Sequence, residues 1–70
     1  MVKREELKVG QIVQVNHPAN AVILIEEIGE NEIIGYRMGA DLSCILKNWG
    51  AYSVKLSDII GIVAQPGEAV

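Results

Sequence analysis

The sequence predicts an all-β fold: a single small, strongly bent five-stranded barrel with one short helical turn before its last strand. Two observations predict it. Nearly all apolar residues fall in six short runs rich in Val, Ile and Leu: GQIVQVN (10–16), AVILIEEI (21–28), EIIGYRM (32–38), SCILK (43–47), YSVKL (52–56) and IGIVAQ (60–65). Each run has the length and β-branched content of a strand rather than a helix. Gly, Asn and Asp stand between the runs, where their local backbone chemistry favours turns.

The elements follow in order. Residues 1–9 read as an N-terminal arm, a helical turn or a loose segment over 1–8, anchored by Leu7 and Val9. Gly10 opens the first strand, with Val13 and Val15 facing one way and Ile12, Gln14 and Asn16 the other. Asn16-His17-Pro18-Ala19-Asn20 is a loop, because Pro18 cannot donate to a ladder and Asn on both sides favours turning. The run 21–28 is apolar on both faces in its first half, Val22 and Leu24 on one and Ile23 and Ile25 on the other. Such a strand is central in a barrel or covered by a partner.

Gly29-Glu30-Asn31 then links this run to 32–38 as a hairpin. Ile34, Tyr36 and Met38 share one face there, and Ile33, Gly35 and Arg37 the other. Gly35 inside the strand marks a bulge or a sharp bend. Gly39-Ala40-Asp41 ends the strand. The run 43–47 is the next, with Cys44 and Leu46 facing together, and Asn48-Trp49-Gly50-Ala51 turns the chain. The run 52–56 alternates cleanly, with Tyr52, Val54 and Leu56 inward and Ser53 and Lys55 outward. Ser57-Asp58-Ile59 forms the helical turn, capped by Ser57 or Asp58. The run 60–65 closes the sheet, and 66–70 is a frayed tail.

The 70 residues make one domain, 1–70. A chain this short buries only about 60% of its unfolded surface, so a lone core is marginal. A single cysteine, Cys44, allows no intramolecular disulfide, and with one histidine no four-ligand Cys/His zinc site can be built from one chain. Oligomerisation is the remaining remedy for a small scaffold. Half of the residues are hydrophobic, which points to a buried subunit interface on the aliphatic second run, through Val22, Ile23 and Ile25 with Ile33; the alternative is a compact monomer with an unusually aliphatic core. The expected partner is a second copy of the chain, as a dimer or a ring, and another protein is a further candidate. The charged start MVKREELKVG is not a signal peptide. No run approaches the roughly 18–20 apolar residues that cross a bilayer. A cytoplasmic location is the expectation, where an unpaired Cys44 is comfortable.

The net charge of −3 argues against holding nucleic acid by phosphate neutralisation. The charges are unevenly spread. Glu26, Glu27, Glu30 and Glu32 gather around one turn, while Arg37, Lys47 and Lys55 fall in the second half, opposed by Asp41. Charged residues at exposed strand ends also serve simply to protect an edge.

The stretch VKLSDIIGIVAQ, a strand, one helical turn and a closing strand, follows a Gly-led first strand and a long bent hairpin. This arrangement resembles the SH3-like small barrels. Within that group Gly35, Asp41 and Cys44-Ile45-Leu46-Lys47-Asn48 resemble the Gly strand, the Asp after the bend and the apolar strand of Sm and Hfq proteins. The resemblance spans 9–65 and implies a barrel that forms rings. It does not extend to the RNA pocket: only 1–9 precede Gly10 where Sm-type proteins have a helix. Lys55-Leu56-Ser57 also stands where Hfq has Tyr-Lys-His. An oligonucleotide-binding barrel fits five strands equally well.

No catalytic constellation emerges. His17 sits in a loop without an orienting partner nearby in sequence. Cys44 alternates with core positions, where free cysteine acts as a small hydrophobe, and Lys47 should face away from it. Asp41 and Asp58 fit turn or cap chemistry. The acidic group lacks the ordered oxygen ligands of a calcium loop, and the seven glycines form no phosphate-cradling pattern. Trp49, at a turn, is the best candidate for a ring that stacks on a ligand.

The expected function is therefore binding without a cofactor: a self-associating interaction or assembly module. The alternative is a Sm-like RNA- or DNA-binding protein, with Arg37, Lys47 and Lys55 on phosphates and Trp49 on a base. A third class is an oligomeric enzyme whose site draws His17 or Tyr36 from several subunits.

Overall fold

A computed structural model of the chain describes residues 2–16, 20–39 and 45–67, and of Trp49 the backbone alone. Five strands form one antiparallel sheet: β1 (Ile12–Val15), β2 (Ala21–Ile28), β3 (Glu32–Arg37), β4 (Ala51–Lys55) and β5 (Ile59–Ala64). Their order is β4-β3-β2-β1-β5, so the doubly apolar β2 is the middle strand. Among the described residues the edge strands β4 and β5 share no ladder, and the sheet is open. Single 3-10 turns precede β1 (Arg4–Glu6), β4 (Lys47–Trp49) and β5 (Leu56–Asp58). The last is the helical turn expected before the closing strand, begun one residue earlier.

Six apolar runs yield five strands. Of the run 43–47, residues 43 and 44 lie outside the described residues. Ile45 makes one isolated bridge to Met38, and Lys47 already belongs to the 3-10 turn. Gly50, at φ +79°, carries the chain from that turn into β4, a left-handed conformation that glycine adopts without a Cβ penalty.

The register explains a pattern that simple alternation does not. Ile25 pairs with Gly35, Glu27 with Ile34 and Ile28 with Ile33, leaving Glu26 as an extra residue on β2. In strict alternation Glu27 would follow Ile23 and Ile25 into the core. The bulge instead leaves both glutamates exposed and returns Ile28 to the core side. The irregularity expected at Gly35 thus lies on the strand facing it. Gly35 itself permits a close approach: a Cβ there would meet the Leu24 carbonyl oxygen at 2.1 Å. Strand β5 carries two further register shifts against β1, which leave Ile60 and Val63 without a register partner on β1.

The core gathers on one face of the sheet: Val13 and Val15 of β1, Ala21, Ile23 and Ile25 of β2, Ile33, Val54 and Ile59, with Leu7 from the arm. Tyr52 and Leu56 pack against it from β4 and its end, as the alternation of 52–56 predicts. Ile12 and Met38 are buried apart from this cluster. Ile12 belongs to the other face, where it pairs with Leu24.

The arm is held by Leu7 and Val2; Val9, expected as an anchor, is exposed because it lies in the turn that leads to Gly10. Arg4 Nε donates to the Gly29 carbonyl at 2.7 Å, tying the arm to the β2–β3 turn. Gln11 is the one buried polar residue among those described, 1% exposed. Its Oε1 accepts from the Lys8 N–H at 2.7 Å, and its Nε2 donates to Glu6 O and Gln65 Oε1, both at 3.0 Å. One amide therefore fastens the arm, the start of β1 and the end of β5.

Candidate functional site

The outer face of the β2–β3–β4 sheet carries a cleft of about 540 Å³ lined by Glu26, Glu27, Ile34, Tyr36, Lys47 and Ala51. Its floor follows from the register. Leu24, Tyr36 and Ala51 stand side by side across three strands, and Glu27, Ile34 and Ser53 form the next row. The Glu26 bulge builds one wall by setting two consecutive carboxylates outward. The other wall is Lys47. The Met38–Ile45 bridge and the hydrogen bond from the Leu46 N–H to the Arg37 carbonyl, 2.7 Å, return the chain beside β3. The Lys47–Trp49 turn closes with the Gly50 N–H on the Lys47 carbonyl at 3.0 Å. Lys47 Nζ then lies over the Tyr36 ring, 5.7 Å from its centroid, within cation–π range.

The structure separates the three basic residues singled out in the sequence. Lys47 is in the cleft. Arg37 is the cross-strand partner of Ile23 and half-buried, facing the side opposite Tyr36. Lys55 stands opposite Glu32 in the β3–β4 register and lines a smaller cleft with Asn31, Leu56 and Ser57 at the far end of β4. Ser53 Oγ donates to the Glu32 carboxylate beside it. Trp49 has its backbone in the 3-10 turn, and its side chain lies outside the described residues, as do His17, Asp41 and Cys44.

Of the four residues expected at an interface, Ile23, Ile25 and Ile33 are fully buried within the single chain. They are committed to its own core and have no surface to offer a partner. Val22 alone, half-buried on the outer face, is accessible.

Tyr36, which shares a strand face with Ile34, is half-buried and forms the cleft floor with it. Sequence reading missed Glu26 and Glu27 as a pair belonging to a cleft. The available signal was the Glu-Glu doublet, which breaks the alternation of AVILIEEI just where Gly35 faces it across the hairpin. Among the described residues no group of three or more His, Cys, Asp or Glu is arranged to hold a metal ion, and no helix is long and apolar enough to cross a membrane. Compared with known proteins, the chain matches no protein-family model, no curated protein and no solved structure.

Proposed function

We propose that this protein is a non-catalytic interaction module that self-associates through the outer edge of β5, which pairs with no strand among the described residues. The strand order, with a 3-10 turn before the closing strand, supports reading the domain as an SH3-like barrel. One observation supports the edge in particular. Ile60 and Val63, the two residues of β5 without a register partner on β1, are 57% and 44% exposed, and residues 59–65 carry no charge. Edge strands that stay single are blunted by charged side chains, Pro or bulges. The bulges of β5 instead turn aliphatic side chains outward, whereas the opposite edge, β4, ends in Lys55. Pairing through β5 would cover both the open backbone and these side chains.

Light scattering coupled to size exclusion tests this, with and without short single-stranded RNA. The expected result is a discrete oligomer indifferent to RNA, and a folded monomer for the Ile60→Lys, Val63→Lys double variant. A wild-type monomer at every concentration, or a variant that keeps the oligomer, overturns the proposal.

A further inference from the structure

We infer that the outer-face cleft takes a basic side chain, Lys or Arg, from a segment of a partner protein. The inference is independent of self-association, because the cleft lies on the β4 side of the sheet, away from β5. Three observations carry it. The β2 bulge adds Glu26 without adding a core contact; what it changes is that two successive carboxylates stand together at the cleft wall. Bulges are enriched beside functional sites, where they re-aim side chains. Among the described residues neither the Glu26 nor the Glu27 carboxylate has a hydrogen-bond or ion-pair partner.

The floor already accepts a cation. The chain's own Lys47 ammonium sits over the Tyr36 ring at 5.7 Å. Ile34 and the body of Tyr36 offer an apolar bed for the methylene stem that a Lys or Arg lays along a surface while its charged head meets the carboxylates. Lys47 is thus the resident occupant that an incoming basic side chain displaces. The same two carboxylates, in a chain of net charge −3, repel phosphates and acidic peptides.

The test is a titration of the 15N-labelled protein with hexalysine. Amide shifts should concentrate at Ile34, Tyr36 and Ala51. Glu26→Gln with Glu27→Gln should weaken binding about tenfold, the scale of two exposed ion pairs. The charge-matched control Glu5→Gln with Glu30→Gln, at exposed positions away from the cleft, should change it little. Tyr36→Leu should cost about two- to fivefold, the scale of an exposed cation–π contact, while Tyr36→Phe retains binding. Equal losses in the two charge-matched double variants, or shifts centred on the arm and the 29–31 turn, overturn the assignment. The exposure of all four glutamates keeps folding out of the comparison.

Discussion

The carbonyl oxygen of Leu24 occupies the space that a side chain at residue 35 would need: a Cβ on Gly35 would lie 2.1 Å from it and 2.7 Å from Ile23 Cγ2. The oxygen belongs to the backbone of the middle strand and cannot move without opening the β2–β3 ladder. Gly35→Ala should therefore destabilise the fold by about 3 kcal/mol, the upper end of overpacking costs. Gly61 is the contrast, with open space around its would-be Cβ. Gly61→Ala should stabilise by about 0.5–1 kcal/mol through the unfolded chain's lost freedom. Urea denaturation of both variants measures the difference, and a similar effect at the two glycines would contradict the close approach.

The bulge makes a second prediction. Removing Glu26 leaves Ile25, Glu27 and Ile28 opposite Gly35, Ile34 and Ile33 in an unbroken ladder, with every isoleucine still on its own side. A chain lacking Glu26 should fold with stability changed by about 1 kcal/mol or less, because no core side chain is lost. A chain lacking Leu24 should not fold, since a one-residue slip turns a strand's apolar set to the wrong face. Circular dichroism and thermal melts distinguish the two deletions.

Gln11 supplies the third. Its amide satisfies the Lys8 N–H, the Glu6 carbonyl and Gln65 Oε1 from a buried position. Gln11→Leu should cost about 2–4 kcal/mol, because an unpaired buried polar group costs about 1–3 kcal/mol and more than one is left. Gln11→Glu adds a dependence on pH. Two of the three contacts need a donor; the protonated acid supplies one and the carboxylate none, so burial and these two facing oxygens raise the new carboxyl's pKa in the folded state. The unfolded chain ionises near 4.3, and from there upward deprotonation favours unfolding. The Gln11→Glu variant should be most stable below that pH and lose stability as pH rises toward the folded-state value. Melting temperatures across the acid range read this directly, and a flat profile would remove Gln11 from its donor role.

The fourth concerns nucleic acid. Lys47 shares its cleft with Glu26 and Glu27, Lys55 stands opposite Glu32 in the β3–β4 register, and Arg37 faces the other side of the sheet. Cations so placed form no track for phosphates. Fluorescence anisotropy with a short labelled RNA should show no saturable binding at physiological salt. Saturable binding with a salt slope that falls on Lys47→Glu and Lys55→Glu would reverse that reading.

The strands, their hairpin and the place of the last 3-10 turn were legible because each rests on local pattern: alternation in 52–56, turn residues at 29–31, a polar break at 57–58; the turn itself starts at Leu56, and neither Ser57 nor Asp58 caps it. The central place of β2 was legible too, from its apolar residues on both faces. What alternation could not reveal was where it stops. Glu26, Ile60 and Val63 are each one residue out of step, and the choice between in and out is made by the partner strand. That is why Ile23, Ile25 and Ile33 read as an interface when they are the core. Gln11 was hidden for the same reason, since its three partners come from the arm and from the far end of β5.

The Gln11 amide also sets how the domain would answer a pull. Ile12 of β1 lies beside Ala64 of β5, so the chain enters and leaves the sheet at one corner. Tension applied across that corner, by a tether or a degradation machine, falls on the Gln11 amide and its three contacts once the arm's own hold, Arg4 on Gly29 and Leu7 in the core, has given way. Once it lets go, the β1–β5 ladder opens rung by rung from that corner instead of shearing all at once.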